Sequence, residues 1–181
     1  MAPLPKCCPS NSDPNYVPLH YTEVTPERDE FLITGDKLSL DRATDFVGSP
    51  DAGAISTFSG TTRRTFENKE VIQLEYEAYE DMAKKEWYKL VAEARKKHHL
   101  IKTSLYHRIG IVPVGESSVI IAVSSAHRAD GLNAVRFLID QLKDKLPIWK
   151  KEVLDDGSAH WKANNDPLAN KSSHHDHQHH H

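Results

Sequence analysis

SSVIIAVSSAHRADGLNAVRFLIDQLKDK, residues Ser117 to Lys145, is the stretch on which the fold turns. Ser117 to Ala126 is the most apolar strand-like run in the chain. Ala129 to Lys145 then changes period. Leu132, Val135, Leu138, Ile139 and Leu142 recur at three- and four-residue steps and predict the buried stripe of a long helix. Pro147 ends that helix, because its ring removes a donor and drives Leu146 out of helical geometry. Strand, two-residue corner and helix therefore form one unit, with His127 and Arg128 at the corner.

Working outward, Glu80 to His98 is a second long helix, with Ala83, Trp87, Leu90, Val91 and Ala94 as its apolar positions. Ile101 to Ile111 is strand-like, and Pro113-Val114-Gly115 turns the chain. Val71 to Tyr79 alternates with period two. Val71, Gln73, Glu75, Glu77 and Tyr79 face one way, and Ile72, Leu74, Tyr76 and Ala78 the other. Phe31 to Thr34 and Ala52 to Gly60 read as strands, joined by a short helix from Ser39 to Val47 that Gly48-Ser49-Pro50 stops. The polar run from Thr61 to Glu70 is a loop or hairpin connection. Trp149 to Leu154 is a short extended piece. Asp155-Asp156-Gly157 is a hairpin turn, and His160-Trp161 begins a return strand. Two long helices and about six strands predict an α+β domain, with helices on one side of a mixed or antiparallel sheet.

At 181 residues the chain has a one-domain length, and its 38% apolar share is low because the two ends are polar. Residues 1–30 read as a flexible, Pro-rich leader, 31–162 as the folded domain, and 163–181 as a disordered tail. The tail carries six histidines from His174 to His181, either an expression tag or a natural chelating tract. No run of eighteen apolar residues suggests a membrane span, and MAPLPKCCPS lacks the apolar centre of a secretory signal. A cytosolic protein is the resulting expectation. With a net charge of -3, bulk electrostatics do not suggest nucleic acid, so any anion site must be local. The two cysteines, Cys7 and Cys8, are adjacent in the leader and provide no disulfide framework or spaced zinc ligands.

Chemistry concentrates at element ends. Val119, Ile121, Val123 and Ser125 share a strand face, and His127 is next on it. A helix N-terminus supplies unpaired donors and the positive dipole end, which suit a phosphate. The Arg128 fork suits phosphate or carboxylate. A helix cap beside a solvated arginine is the alternative. His107-Arg108 repeats the pair but runs on into Ile109-Gly110 of its own strand, which favours a structural role. Lys143 falls roughly 70° from the centre of the helical stripe, at its edge. A lysine there is either partly desolvated, which frees some neutral amine, or snorkels over the core. Lys150 lies beyond Pro147, where the bend can fold it back towards the helix end. Trp149 anchors the turn, and Lys151 and Glu152 complete a charged cluster or a solvated charge run. Arg63 follows Gly60-Thr61-Thr62 at a strand end, with Arg64 beside it as an equal candidate. Together these residues predict a pocket for a phosphorylated or carboxylated small molecule, both amines converging beside the His127-Arg128 corner. Walker loop, dinucleotide fingerprint, Ser-His-Asp order and carboxylate metal cage do not appear.

FSGTTR at 58–63, LEYEAYEDMA at 74–83, HRIGIVPVGE at 107–116, VSSAHR at 123–128, LKDKLPIWKKE at 142–152 and DGSAHW at 156–161 occur in this order. The set closely resembles the molybdopterin synthase catalytic (large) subunit family, from Phe31 to Trp161. That resemblance implies an α/β-hammerhead type of fold with an additional antiparallel β subdomain. It implies a central homodimer, with a small ubiquitin-like sulfur-carrier subunit at each end. The implied reaction converts cyclic pyranopterin monophosphate to molybdopterin with two sulfurs from the carrier's C-terminal thiocarboxylate. It needs no cofactor and no metal. By the same resemblance Thr61, Thr62, Arg63, His127, Arg128, Lys143, Lys150, Lys151 and Glu152 bind substrate. Lys143 and Lys150 are the catalytic pair, and Arg63 is a candidate to reach into a dimer partner's pocket.

Overall fold

A computed structural model describes residues 21–66 and 69–163. Cys7, Cys8 and the histidine-rich tail lie outside the described residues. The strand–corner–helix unit takes the form expected of it. Strand β7 spans Ser117–Ser125, helix α3 spans Arg128–Lys145, and Leu146 leaves the helix in extended geometry. Strand β1 (Asp29–Thr34), β2 (Ala54–Thr61), β5 (Leu100–Arg108) and β7 form one sheet in the order β1-β5-β7-β2. β1 pairs with β5 in parallel, and the other pairings are antiparallel.

Helices cover this sheet on both sides, not on one. Along β7, Val119, Ile121 and Val123 point into the core built with helix α2 (Glu80–Lys97) and α3. Ile120 and Ala122 point the other way, onto Ala43 and Val47 of helix α1 (Leu40–Val47). The physical reason is in the run itself: a strand apolar on both faces has to be covered on both. Ser39 caps α1, its hydroxyl accepting from the Arg42 amide at 3.2 Å.

The second sheet is the antiparallel layer that the hammerhead expectation calls for. It orders β3 (Thr65–Phe66), β4 (Lys69–Ala78), β8 (Ile148–Leu154) and β9 (Ala159–Ala163), and β6 (Gly110–Pro113) also pairs with β4. The strand expected over 101–111 is thus two strands in two sheets. Gly110, at φ 73°, turns the backbone between them, a conformation costly for any other residue. In β4 the strict alternation also fails at one point. Its register against β8 shifts between Val71 and Gln73, so Val71 is buried while Ile72 is exposed. A bulge inserts one residue and re-aims what precedes it.

The stripe of α3 differs at its start. Leu132 is exposed, and Gly131 and Ala134 face the sheet instead. A Cβ on Gly131 would stand 2.7 Å from the Ser56 hydroxyl, so the helix begins too close to β2 and β7 for a large side chain.

The leader expected over 1–30 is packed from Tyr21 onward. The Tyr21 carbonyl accepts from the Arg95 guanidinium at 3.0 Å. Arg95 also binds Asp29 at 2.6 Å, with both side chains essentially inaccessible, and Thr103 donates to the same carboxylate at 2.9 Å. Removing one member of such a pair leaves a buried, uncompensated charge. Asp29→Ala is therefore expected to lower stability by about 3–5 kcal/mol. The urea midpoint falls while the m-value holds.

Candidate functional site

α3 separates what the sequence reading placed together. Arg128 is its first residue and Lys143 stands in its last turn, so at 1.5 Å rise per residue their backbones lie about 22 Å apart along the axis. The expected convergence of both amines on the His127-Arg128 corner therefore does not occur within one chain. A helix places residues fifteen positions apart at opposite ends, whatever face they share.

The strands agree with this division. β2 runs antiparallel to β7, with Ala54 opposite Ser125 and Thr61 opposite Ser117. The Thr61–Arg63 segment thus leaves the sheet at the entry end of β7, and His127-Arg128 stands at the exit end. Eight steps of strand place those ends about 26 Å apart. Helix α3 doubles back over β7 and β2, which carries Lys143 to the entry end.

At the exit corner His127 is the N-cap residue, and His127 and Arg128 are both exposed. Helix donors and a guanidinium face outward there, as an anion site requires. The corner is tightly held from behind. Ser125 Oγ donates to the His127 carbonyl at 2.8 Å, and the Gly53 amide donates to the Ser125 carbonyl at 3.1 Å. A Cβ on Gly53 would lie 2.4 Å from the Ala126 oxygen, so only glycine allows this approach. His98 and His99, at the end of α2, stand 3.9 and 3.7 Å from the Asp130 carboxylate in the first turn of α3. Burial pulls the His98 imidazole down, partly offset by Asp130.

At the entry end, strand alternation sorts the PIWKKE segment. Lys150 and Glu152 share the inner face of β8, opposite Tyr76 and Leu74 of β4. Their charged groups lie 3.5 Å apart, and the Glu152 side chain is 6% exposed. Lys151 points to the other face, where its amine binds Glu75 at 3.0 Å and lies over the Trp161 ring. That hydrogen bond is the main reason the Glu75 carboxyl is held below the usual range. Lys151 therefore belongs to a different surface from Lys150 and Glu152. Lys143 is half-buried, as a position at the stripe's edge requires.

Thr61, Thr62 and Arg63 are likewise sorted. Thr61 and Arg63 are exposed, while Thr62 is 2% exposed and donates to the Val112 carbonyl at 3.4 Å. The Thr62 backbone is bonded to Glu116 and Gly115, which pins the loop and aims Arg63 outward. Sequence reasoning did not single out Tyr76, which stands opposite Lys150 in this inner layer. The only available sign was that Tyr76 shares a face with Leu74 and Ala78. His107, read from the sequence as a structural residue of its own strand, is buried against the Tyr76 ring, centroids 5.0 Å apart. Burial pushes that imidazole down to about 4, so it is neutral at pH 7. Among the described residues, no group of three or more His, Cys, Asp and Glu side chains is placed to hold a metal ion.

The family described as MoaE protein matches residues 33–145. Molybdopterin synthase catalytic subunits of Bos taurus and Homo sapiens are each 52% identical over 137 residues, covering 76% of this chain and 72% of theirs. Among solved structures, molybdopterin synthase from Staphylococcus aureus aligns with a TM-score of 0.67 and 31% identity, over 77% of this chain and 98% of that one. A complex of subunits 1 and 2 of molybdopterin-converting factor from Helicobacter pylori aligns at 0.60 and 21% identity, over 80% and 97%. At that identity the likeness supports the fold alone.

Proposed function

The chain belongs to the MoaE protein family, and on that footing we propose that it is the catalytic subunit of a molybdopterin synthase. In this reading it is a cytosolic sulfurtransferase. It converts cyclic pyranopterin monophosphate to molybdopterin with sulfur from the thiocarboxylated C-terminus of a small ubiquitin-like carrier. It uses no cofactor, because the carrier brings the sulfur. Consistent with this, the chain's own cysteines lie outside the matched region.

The observation that carries the reading is the 52% identity to catalytic subunits over 137 residues, beside a family match that takes in Arg63, His127, Arg128 and Lys143. The residue chemistry supports it. The His127-Arg128 corner, with its helix N-terminus, suits the phosphate and polar edge of a pterin. Lys143 and Lys150 carry the positive charge that a thiocarboxylate and an acyl-transfer oxyanion require. Glu152 orients Lys150 from 3.5 Å. A pterin phosphate is far shorter than the distance between these two halves. It touches both only when a second copy of the chain supplies one of them. The homodimer core is thus part of the proposal, one copy contributing the amines and the other the anion-binding corner. Arg63, at the lysine end, completes the amine half.

Incubating the chain with the pterin precursor and a thiocarboxylated carrier tests the reading. Oxidation of the product is expected to give the fluorescent dithiolene-derived pterin. Carrier binding without that product would instead make the chain a docking module for a ubiquitin-like protein.

A further inference from the structure

We infer that Glu116 is a positioning residue for Arg63: paired with Arg108, its carboxylate fixes the turn between β6 and β7, and that turn clamps the residue after which Arg63 leaves the sheet. The inference rests on the substrate-binding role proposed for Arg63 and extends it to two side chains outside the predicted site.

Thr62 is held by the turn on both sides of its backbone. Its amide donates to the Glu116 carbonyl at 3.0 Å, and its carbonyl accepts from the Gly115 amide at 2.9 Å. Gly115 sits at φ 85°, a turn geometry open to glycine without steric cost. Two residues on, the Arg64 carbonyl accepts from the Val71 amide of β4 at 2.7 Å. Arg63 therefore stands between two pinned residues, one tied to the β6–β7 turn and the other to the second sheet. Its own side chain is exposed, so where the guanidinium stands depends on how firmly that backbone is held.

Backbone bonds at the end of a sheet open locally at little cost unless something locks them. Here the lock is an ion pair. Arg108, the last residue of β5, donates from Nη1 to Glu116 Oε2 at 2.5 Å, and the two side chains are 14% and 27% exposed. A charge-assisted bond of this kind is roughly twice as strong as a neutral one. It ties the turn to a strand that lies inside the first sheet, between β1 and β7. The same bond is the main reason the Glu116 carboxyl is held below the usual range. Lys37 reaches the other carboxylate oxygen at 3.3 Å, but its side chain is 74% exposed, and a surface pair of that sort contributes little. Arg108 is the working partner.

Glu116→Ala keeps the backbone carbonyl that Thr62 uses and removes the tie to Arg108. In steady-state assays with thiocarboxylated carrier, kcat/KM for the pterin precursor is expected to fall about tenfold, the scale of one charge-assisted hydrogen bond. In the background of Arg63→Ala the same substitution is expected to cost nothing further, because it acts through that guanidinium. Wild-type kcat/KM in the variant, or a tenfold cost that persists without Arg63, overturns the inference.

A second measurement does not depend on turnover. Amide hydrogen exchange followed by NMR is expected to be at least about tenfold faster at Thr62 in the Glu116→Ala protein, while the Ile121 amide of β7 keeps its wild-type rate. An unchanged Thr62 rate overturns the inference, and so does a rise shared by Ile121, which would mean general loosening. If the wild-type chain makes no product, the proposed function fails, while the exchange rates still decide whether Glu116 holds the loop. Should Glu116→Ala unfold, Arg108→Met keeps most of the side-chain stem, removes the same pair from the other strand and carries both measurements.

Discussion

Lys143→Ala is expected to lower molybdopterin formation by about two to three orders of magnitude, the usual cost of removing one group that stabilises developing negative charge. The fold should survive. Lys143 is half-buried in the last turn of α3, alanine is the best helix former, and no core volume is vacated. The measurement is single-turnover product formation beside a thermal melt and a carrier-binding assay. Melting and binding are expected to match the wild-type chain. Wild-type turnover in the variant would remove Lys143 from the catalytic pair and leave Lys150 alone.

Mixing two dead variants should restore activity. Arg128→Ala damages the exit-end corner and Lys143→Ala the entry-end amine, and the two positions are about 22 Å apart in one chain. If each site combines the corner of one copy with the amine of the other, a mixed dimer holds one site with both defects and one with neither. Equal mixing with free exchange makes half of the dimers mixed. The expected recovery is then about a quarter of wild-type activity, by the two-fold symmetry of the pair. Sites confined to single chains would recover nothing. The assay follows product after the variants are co-refolded or co-expressed, with each variant alone as the baseline.

The strand–corner–helix unit, the proline stop and both long helices were legible because each rests on a local rule. These rules are period two against period three to four, a ring without a donor, and glycine where φ is positive. The chemistry was legible as residue types: His127-Arg128 at a helix start, and lysines on either side of Pro147. A two-faced apolar run such as 117–125 also contained the reason for helices on both sides, although the count of helices and strands suggested one. Other features escaped because they depend on partners distant in sequence. The Asp29–Arg95 pair joins positions 66 apart, and the β4 bulge shows only against β8.

Sequence by itself was enough to determine which residues carry charge at element ends and to which family their order is similar, because backbone sterics and hydrophobic period act over a few residues. How those ends lie relative to one another was decided by tertiary structure alone. A rigid helix put the arginine corner and the Lys143 amine at opposite ends of α3. Strand alternation sent Lys151 away from Lys150, and sheet pairing brought Tyr76 opposite the lysine. Distances of that kind are set by helix rise, pleat and register, which become distances between side chains only once the chain has packed.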